Sequence, residues 1–158
     1  MLPAMGDIQD MIAEAADFAG ECDATYALMA SRADSVYAQE TQFKGWTIND
    51  VLQHLYMGDM RAHMTLTDPE AYARIKAERQ SVVASTTAEK LANQRADAGY
   101  LEGKALLEAW RASATKTAAA YAEADPKQRV QWAGPDMSAR SSITARLMET
   151  WAHSQALY

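Results

Sequence analysis

Glu149 and His153 stand four residues apart in the segment Leu147-Met-Glu-Thr-Trp-Ala-His153. On an α-helix that separation puts both side chains one turn apart on the same side, where they can converge on one point. A third donor from another helix would complete a metal site, and His54 lies in the segment Trp46-Thr-Ile-Asn-Asp-Val-Leu-Gln-His54-Leu. Two imidazoles and a carboxylate suit zinc or a neighbouring divalent metal, and three protein ligands leave a position open for water or substrate. A Glu and a His at i and i+4 are equally an ordinary stabilising surface pair, and a single histidine is at home at the boundary of a core. Spacing leaves both readings open.

Other residues receive briefer assignments. Arg146, three before Glu149, is either an anchor for an anionic substrate or the partner of Glu149 in a helix-surface ion pair, and the ion pair is the favoured reading. Trp46, Trp110, Trp132 and Trp151 read as core or groove-wall residues, the methionines as core filler, and His63 and the single Cys22 as structural. A di-iron carboxylate bundle needs Glu-x-x-His pairs, and a zincin needs His-Glu-x-x-His. Neither pattern is present.

The elements that must position these residues are helices. Good helix formers dominate, while Gly (7) and Pro (4) are scarce in 158 residues. From Asp7 to about Ser31 the residues Ile8, Met11, Ile12, Ala15, Ala19, Cys22, Tyr26 and Met29 recur at helical steps. Ser35 to Trp46 reads as a connection. Thr47 and Asp50 form a capping-box pattern, and a helix from Ile48 to about Met64 puts Ile48, Val51, Leu52 and Leu55 on one face. Asp68-Pro69 signals a further start, and Pro69 to Tyr100, interrupted by Ser85-Thr86-Thr87, predicts two short, partly exposed helices. Leu101 to Ala124 is the third long helix, closed by Asp125-Pro126. Val130 to Arg140 is a loop by its Gly-Pro pair, and Ser141 or Ser142 caps a last helix that runs to the C-terminus. The expected architecture is an all-α four-helix bundle with short extra helices between the second and third main helices, one domain over residues 1–158.

A helical wheel places Ile143, Leu147 and Trp151 on one face of the last helix, with Glu149 and His153 to its side among Ala145, Ala152 and Ala156. His54 falls at the edge of its own apolar face. The site is therefore expected in a groove on the flank of the bundle, where alanines leave room for a ligand.

The bulk properties exclude several classes. With 15 Lys and Arg against 21 Asp and Glu, a net charge of −6 and no basic cluster, the chain is a poor partner for nucleic acid or an anionic membrane. The N-terminus lacks a basic n-region, and no stretch approaches the ~18 apolar residues of a membrane span. One cysteine permits no internal disulfide. These observations lead to the expectation of a cytoplasmic protein.

The segments Gly45-Trp-Thr-Ile-Asn-Asp-Val-Leu-Gln-His54-Leu, Trp132-Ala-Gly-Pro-Asp-Met-Ser and Thr144-Ala-Arg-Leu-Met-Glu-Thr-Trp-Ala-His153 together resemble the DinB-like superfamily. The resemblance is strongest to the metal-binding N-terminal domain of mycothiol-dependent maleylpyruvate isomerase and its uncharacterised relatives. It covers nearly the whole chain, although Pro69 to Gly103 carries no recognisable motif. It implies a four-helix bundle holding a divalent metal, usually zinc with nickel, iron or manganese as alternatives, through His54, Glu149 and His153. It also implies activity with a low-molecular-weight thiol such as mycothiol on a small organic-acid electrophile, with pairing into a homodimer as a further possibility. The isomerase has a second domain after its metal-binding helix, and Ser-Gln-Ala follows His153 where relatives commonly show Gly and an acid. The rival expectation is accordingly a metal-containing binding or sensor module without turnover.

Overall fold

The computed structural model describes residues 12–82 and 86–158. Among them six α-helices follow in order: α1 (Ala13–Ala30), α2 (Ile48–Thr67), α3 (Pro69–Ser81), α4 (Thr87–Asp97), α5 (Gly103–Ala122) and α6 (Ala139–Ser154). The all-α class is as expected. Ile8 and Met11 of the expected first helix, and Ser85, lie outside the described residues. From Ile12 onward the helical period holds, with Ala15, Phe18, Cys22 and Met29 buried.

The four long helices pack in a ring, α1 and α2 each lying against both α5 and α6. The core between them is filled by Phe18, Met29, Leu52, Leu55, Leu106, Leu107, Trp110, Tyr121 and Ile143. Helices α3 and α4 both pack on α2 and form the excursion outside the ring.

Sequence signals explain where these helices begin. The Thr47 hydroxyl accepts from the Asp50 N–H at 3.1 Å while the Thr47 N–H donates to Asp50 Oδ2 at 2.9 Å, the reciprocal cap expected at the start of α2. Asp68 caps α3 by accepting from the Ala71 N–H, with Pro69 at the first helical position. Gly103 opens α5 with φ +61°, and a Cβ there would stand 2.3 Å from Asp34 Oδ1, so only glycine fits this junction.

Two boundaries differ from the expected ones. Helix α6 begins at Ala139 and is capped by Ser138, whose hydroxyl accepts from the Ser141 N–H, so neither Ser141 nor Ser142 is the cap. The expected loop over Val130 to Arg140 contains a minimal antiparallel pair, β1 (Arg129–Val130) with β2 (Met137–Ser138), which fixes the Gly-Pro turn and leads the chain into that cap. The connection before α2 likewise contains a 3₁₀ turn over Asp34–Ala38, anchored by the buried Tyr37, whose hydroxyl donates to the Met29 carbonyl.

Asp50 does more than cap. Arg95 on α4 donates to it through Nε at 2.9 Å and NH2 at 3.1 Å, which docks α4 onto the start of α2. Burial alone would raise the Asp50 pKa, but the Arg95 and Thr47 hydrogen bonds outweigh it and hold the carboxyl below its ordinary range. A carboxyl depressed in the folded state contributes stability above its unfolded pKa, and loses it as pH falls through the folded value. Asp50→Asn should cost about 2 kcal/mol at neutral pH, the worth of a cap and a charge-assisted hydrogen bond. Urea midpoints should show this difference shrinking below about pH 4.

Candidate metal centre

His54 Nε2 lies 3.1 Å from Glu149 Oε2, and His153 Nε2 lies 3.2 Å from the same oxygen. One donor atom from each residue falls within 4.8 Å of the other two. Helix α2 supplies His54 and α6 supplies the i, i+4 pair, and the packing of α2 on α6 brings the three together. The geometry fits a cation. Donors on one tetrahedron at about 2.1 Å from zinc are about 3.4 Å apart, close to the two separations seen here.

The site lies on the flank of the ring. The side chains of His54, Glu149 and His153 are 33%, 46% and 14% exposed. Aromatic rings back the two histidines: Trp46 stacks parallel to His153 at 6.2 Å, and Phe43 meets the His153 ring edge-on at 5.1 Å. Trp46 also packs edge-on against His54 at 5.5 Å. The rings thereby limit how far either imidazole can swing.

Protonation favours the ligand forms. Burial raises the Glu149 pKa, but the hydrogen bond from His54 and the charge of Arg146 pull it down further, leaving it below the ordinary range. Burial and the neighbouring His54 hold His153 below the usual histidine value, against the attraction of Glu149. A carboxylate and a neutral imidazole are the states that donate electron pairs to a metal.

Arg146 corrects an expectation. Its partner is Asp59, not Glu149: Arg146 Nε donates to Asp59 Oδ1 at 2.8 Å, with Arg146 12% exposed and Asp59 fully buried. Asp59 Oδ2 also accepts from Trp110 Nε1 at 2.9 Å. Gly58 makes room for this arrangement, since a Cβ there would come within 2.5 Å of the Arg146 guanidinium. Part of that guanidinium still borders the groove beside His54 and Glu149, so an anchoring role remains geometrically available.

The inward face of α6 is more polar than its wheel suggested. Ser142, Ile143, Thr150 and Ser154 are buried, whereas Trp151 is 58% exposed and Met148 points outward. The buried Asp59–Arg146 pair lies on this inward face, with Thr150 buried one turn further on and Trp151 turned outward. Among the other tryptophans Trp110 is core, Trp46 walls the site and Trp132 is part of the groove. His63 hydrogen-bonds within its own helix to Thr67, and Cys22 is buried with its thiol pushed far above the ordinary range by that burial.

Two of the candidate ligands, His54 and Glu149, line a groove of about 850 Å³ that runs along α2 between α3, α4 and α6, and His153 stands behind them outside its lining. Sequence reasoning missed Phe43, Gly58 and Asp59 around the site. Asp59 was detectable, since it follows Leu52 and Leu55 on the apolar face of α2, an unusual place for a lone carboxylate.

A family model described as the mycothiol maleylpyruvate isomerase N-terminal domain matches residues 18–158. Two uncharacterised proteins from two strains of Mycobacterium tuberculosis are each 32% identical over 138 residues, covering 87% of this chain and 52% of their own length. The chain thus spans about half the length of the curated relatives it matches. Crystal structures of the mycothiol-dependent maleylpyruvate isomerase and of a histidine-to-alanine mutant of it superpose with a TM-score of 0.68. Identity is 14% and 13%, over 91% of this chain and 59% of those chains, so the likeness is one of fold.

Proposed function

We propose, given that the chain belongs to the mycothiol maleylpyruvate isomerase N-terminal domain family, that His54, Glu149 and His153 hold one divalent cation and serve a thiol-dependent transferase or isomerase. The observation that carries this reading is the convergence of three donor atoms from two helices, with His54 and Glu149 bordering a groove. Two nitrogens and one oxygen favour zinc, with nickel, iron or manganese next. Bound there, the cation would supply a Lewis-acid position at which a small thiol is kept as the nucleophilic thiolate.

The chain's own residues do the rest. His54 and His153 turn Nε2 toward Glu149, so ligating a cation through that atom would leave the ring proton on Nδ1, and Trp46 and Phe43 hold the rings in that orientation. The groove offers an apolar wall for the carbon frame of a small electrophile such as maleylpyruvate, and Arg146 borders it as a cation for an acidic substituent. The same reading takes residues 1–158 as one metal-binding domain and places it in the cytoplasm, where small thiols stay reduced. Among the described residues no helix is long and apolar enough to cross a membrane.

Zinc-loaded protein should consume thiol or isomerise substrate when mycothiol and simpler thiols are paired with maleylpyruvate and related unsaturated acids. The activity should vanish with a chelator and return with zinc. If every pairing stays at the uncatalysed rate, the enzyme reading is wrong and a metal-holding binding module takes its place.

A further inference from the structure

Helix α2 carries His54, Gly58 and Arg61 on successive turns of its groove-facing side. Arg61 therefore stands seven residues along the helix from His54, about 10 Å at 1.5 Å per residue. There it meets two other elements. Arg61 NH2 lies 3.6 Å from Asp97 Oδ2 on α4, and Arg79 of α3 contacts the same oxygen more closely. Two guanidiniums share one carboxylate, and the remaining Glu78 and Lys90 on this wall cancel in formal charge. A clamp joining three helices needs only one cation per carboxylate, so one positive charge is left over at the groove's far end.

The surroundings make that charge consequential. Burial, helped by repulsion from Arg79, pushes Arg61 down to about 10. A partly desolvated cation beside a second one gains from any further anion within reach, and a guanidinium matches oxyanions in shape as well as charge. Arg79 is 43% exposed and Arg61 29%, so both remain accessible from the groove. The rest of the lining is mostly apolar and polarisable, with Met57, Met60, Ile75 and Val82 outnumbering the polar Asn93 and Gln94 of α4. The groove thus has a cationic end at Arg61 and Arg79, a mostly apolar lining, and an end bordered by His54 and Glu149.

We propose that Arg61 and Arg79 form an oxyanion subsite that holds the carboxylate or phosphate terminus of a ligand whose reactive end lies at His54, Glu149 and His153. The assignment of the reactive end rests on the function proposed above, while the anion contact does not. Ligand length becomes a determinant of specificity, because the two ends are fixed on one helix.

The probes are mercaptoalkanoic acids of increasing chain length and their hydroxyl-terminated counterparts, titrated into the cobalt-loaded protein. The thiolate-to-cobalt absorption band reports the thiol end. An acid of intermediate length should bind about tenfold more tightly than its hydroxyl counterpart, the worth of one charge-assisted contact. Arg61→Gln and the more exposed Arg79→Gln should each erase that advantage and leave the hydroxyl series unchanged, with circular dichroism confirming a folded protein. In a second arm the metal-free protein is titrated with inorganic phosphate and with hexanoate while the Arg61 and Arg79 Nε resonances are followed. Saturable shifts are expected, and the anion acting at lower concentration identifies the preferred terminus. A cobalt band with no preference for acids at any length, and no shift of either arginine, overturns the subsite and leaves the metal and thiol reading intact. Arginine shifts without any cobalt band sustain the subsite and sink the thiol reading.

Discussion

Replacing His153 with alanine should leave the purified protein with less than about a tenth of the metal held by the unaltered chain, measured by elemental analysis after dialysis against limiting zinc. If a structural zinc site is worth about 10–16 kcal/mol over four ligands, each ligand accounts for roughly 3 kcal/mol, more than a hundredfold in affinity. His153 is the least exposed of the three and the one packed by both Phe43 and Trp46, so its ring is the most firmly held of the candidate ligands. The fold should survive, because none of the three candidate ligands belongs to the hydrophobic core. Metal that binds only the native state stabilises it by mass action. Added zinc should therefore raise the Tm of the unaltered protein and leave that of His153→Ala unmoved. Full metal content in His153→Ala, or equal zinc responses, would refute the site.

The candidate set was raised by a local signal and set apart from an ordinary surface pair by the resemblance carried in the surrounding segments. Glu149 and His153 are one turn apart on a single helix, and the segment around His54 carries its own cap at Thr47 and Asp50. Helix α2 was likewise legible from its cap and from the spacing of Ile48, Val51, Leu52 and Leu55. What escaped is what depends on distant partners. Arg146 was paired with its neighbour Glu149, yet Asp59, 87 residues away, takes it, on the face of α6 that turns inward. Ranking residues by hydropathy alone put Trp151 inside and left Thr150 unplaced, the reverse of what a buried ion pair on that face allows. The Arg61 and Arg79 cluster escaped for the same reason. Its members sit on helices with no motif, and only the packing of α3 and α4 on α2 brings them to the groove.

The Asp59–Arg146 pair is where the largest change in stability is expected. Burial pushes the Asp59 carboxyl up, and the Arg146 guanidinium and Trp110 N–H act against that rise. Thr117 adds a hydrogen bond from its hydroxyl to the Asp59 carbonyl. Desolvating both charges offsets most of what their attraction gives, so the pair itself adds little net stability. Removing one partner is different, since it strands the other charge inside the ring. Asp59→Asn should therefore cost about 3–5 kcal/mol, a large share of the 5–15 kcal/mol typical of a domain. Arg146→Met should cost less, because the stranded Asp59 can take up a proton whereas a stranded arginine cannot lose one. The double variant Asp59→Asn, Arg146→Met should be more stable than Asp59→Asn alone, since it removes the unpaired cation. Urea unfolding of the four proteins measures the coupling. Strictly additive losses would mean that the two side chains stabilise the fold independently, and that packing around Gly58 and Trp110, not charge pairing, turns α6 to face its ligands toward His54.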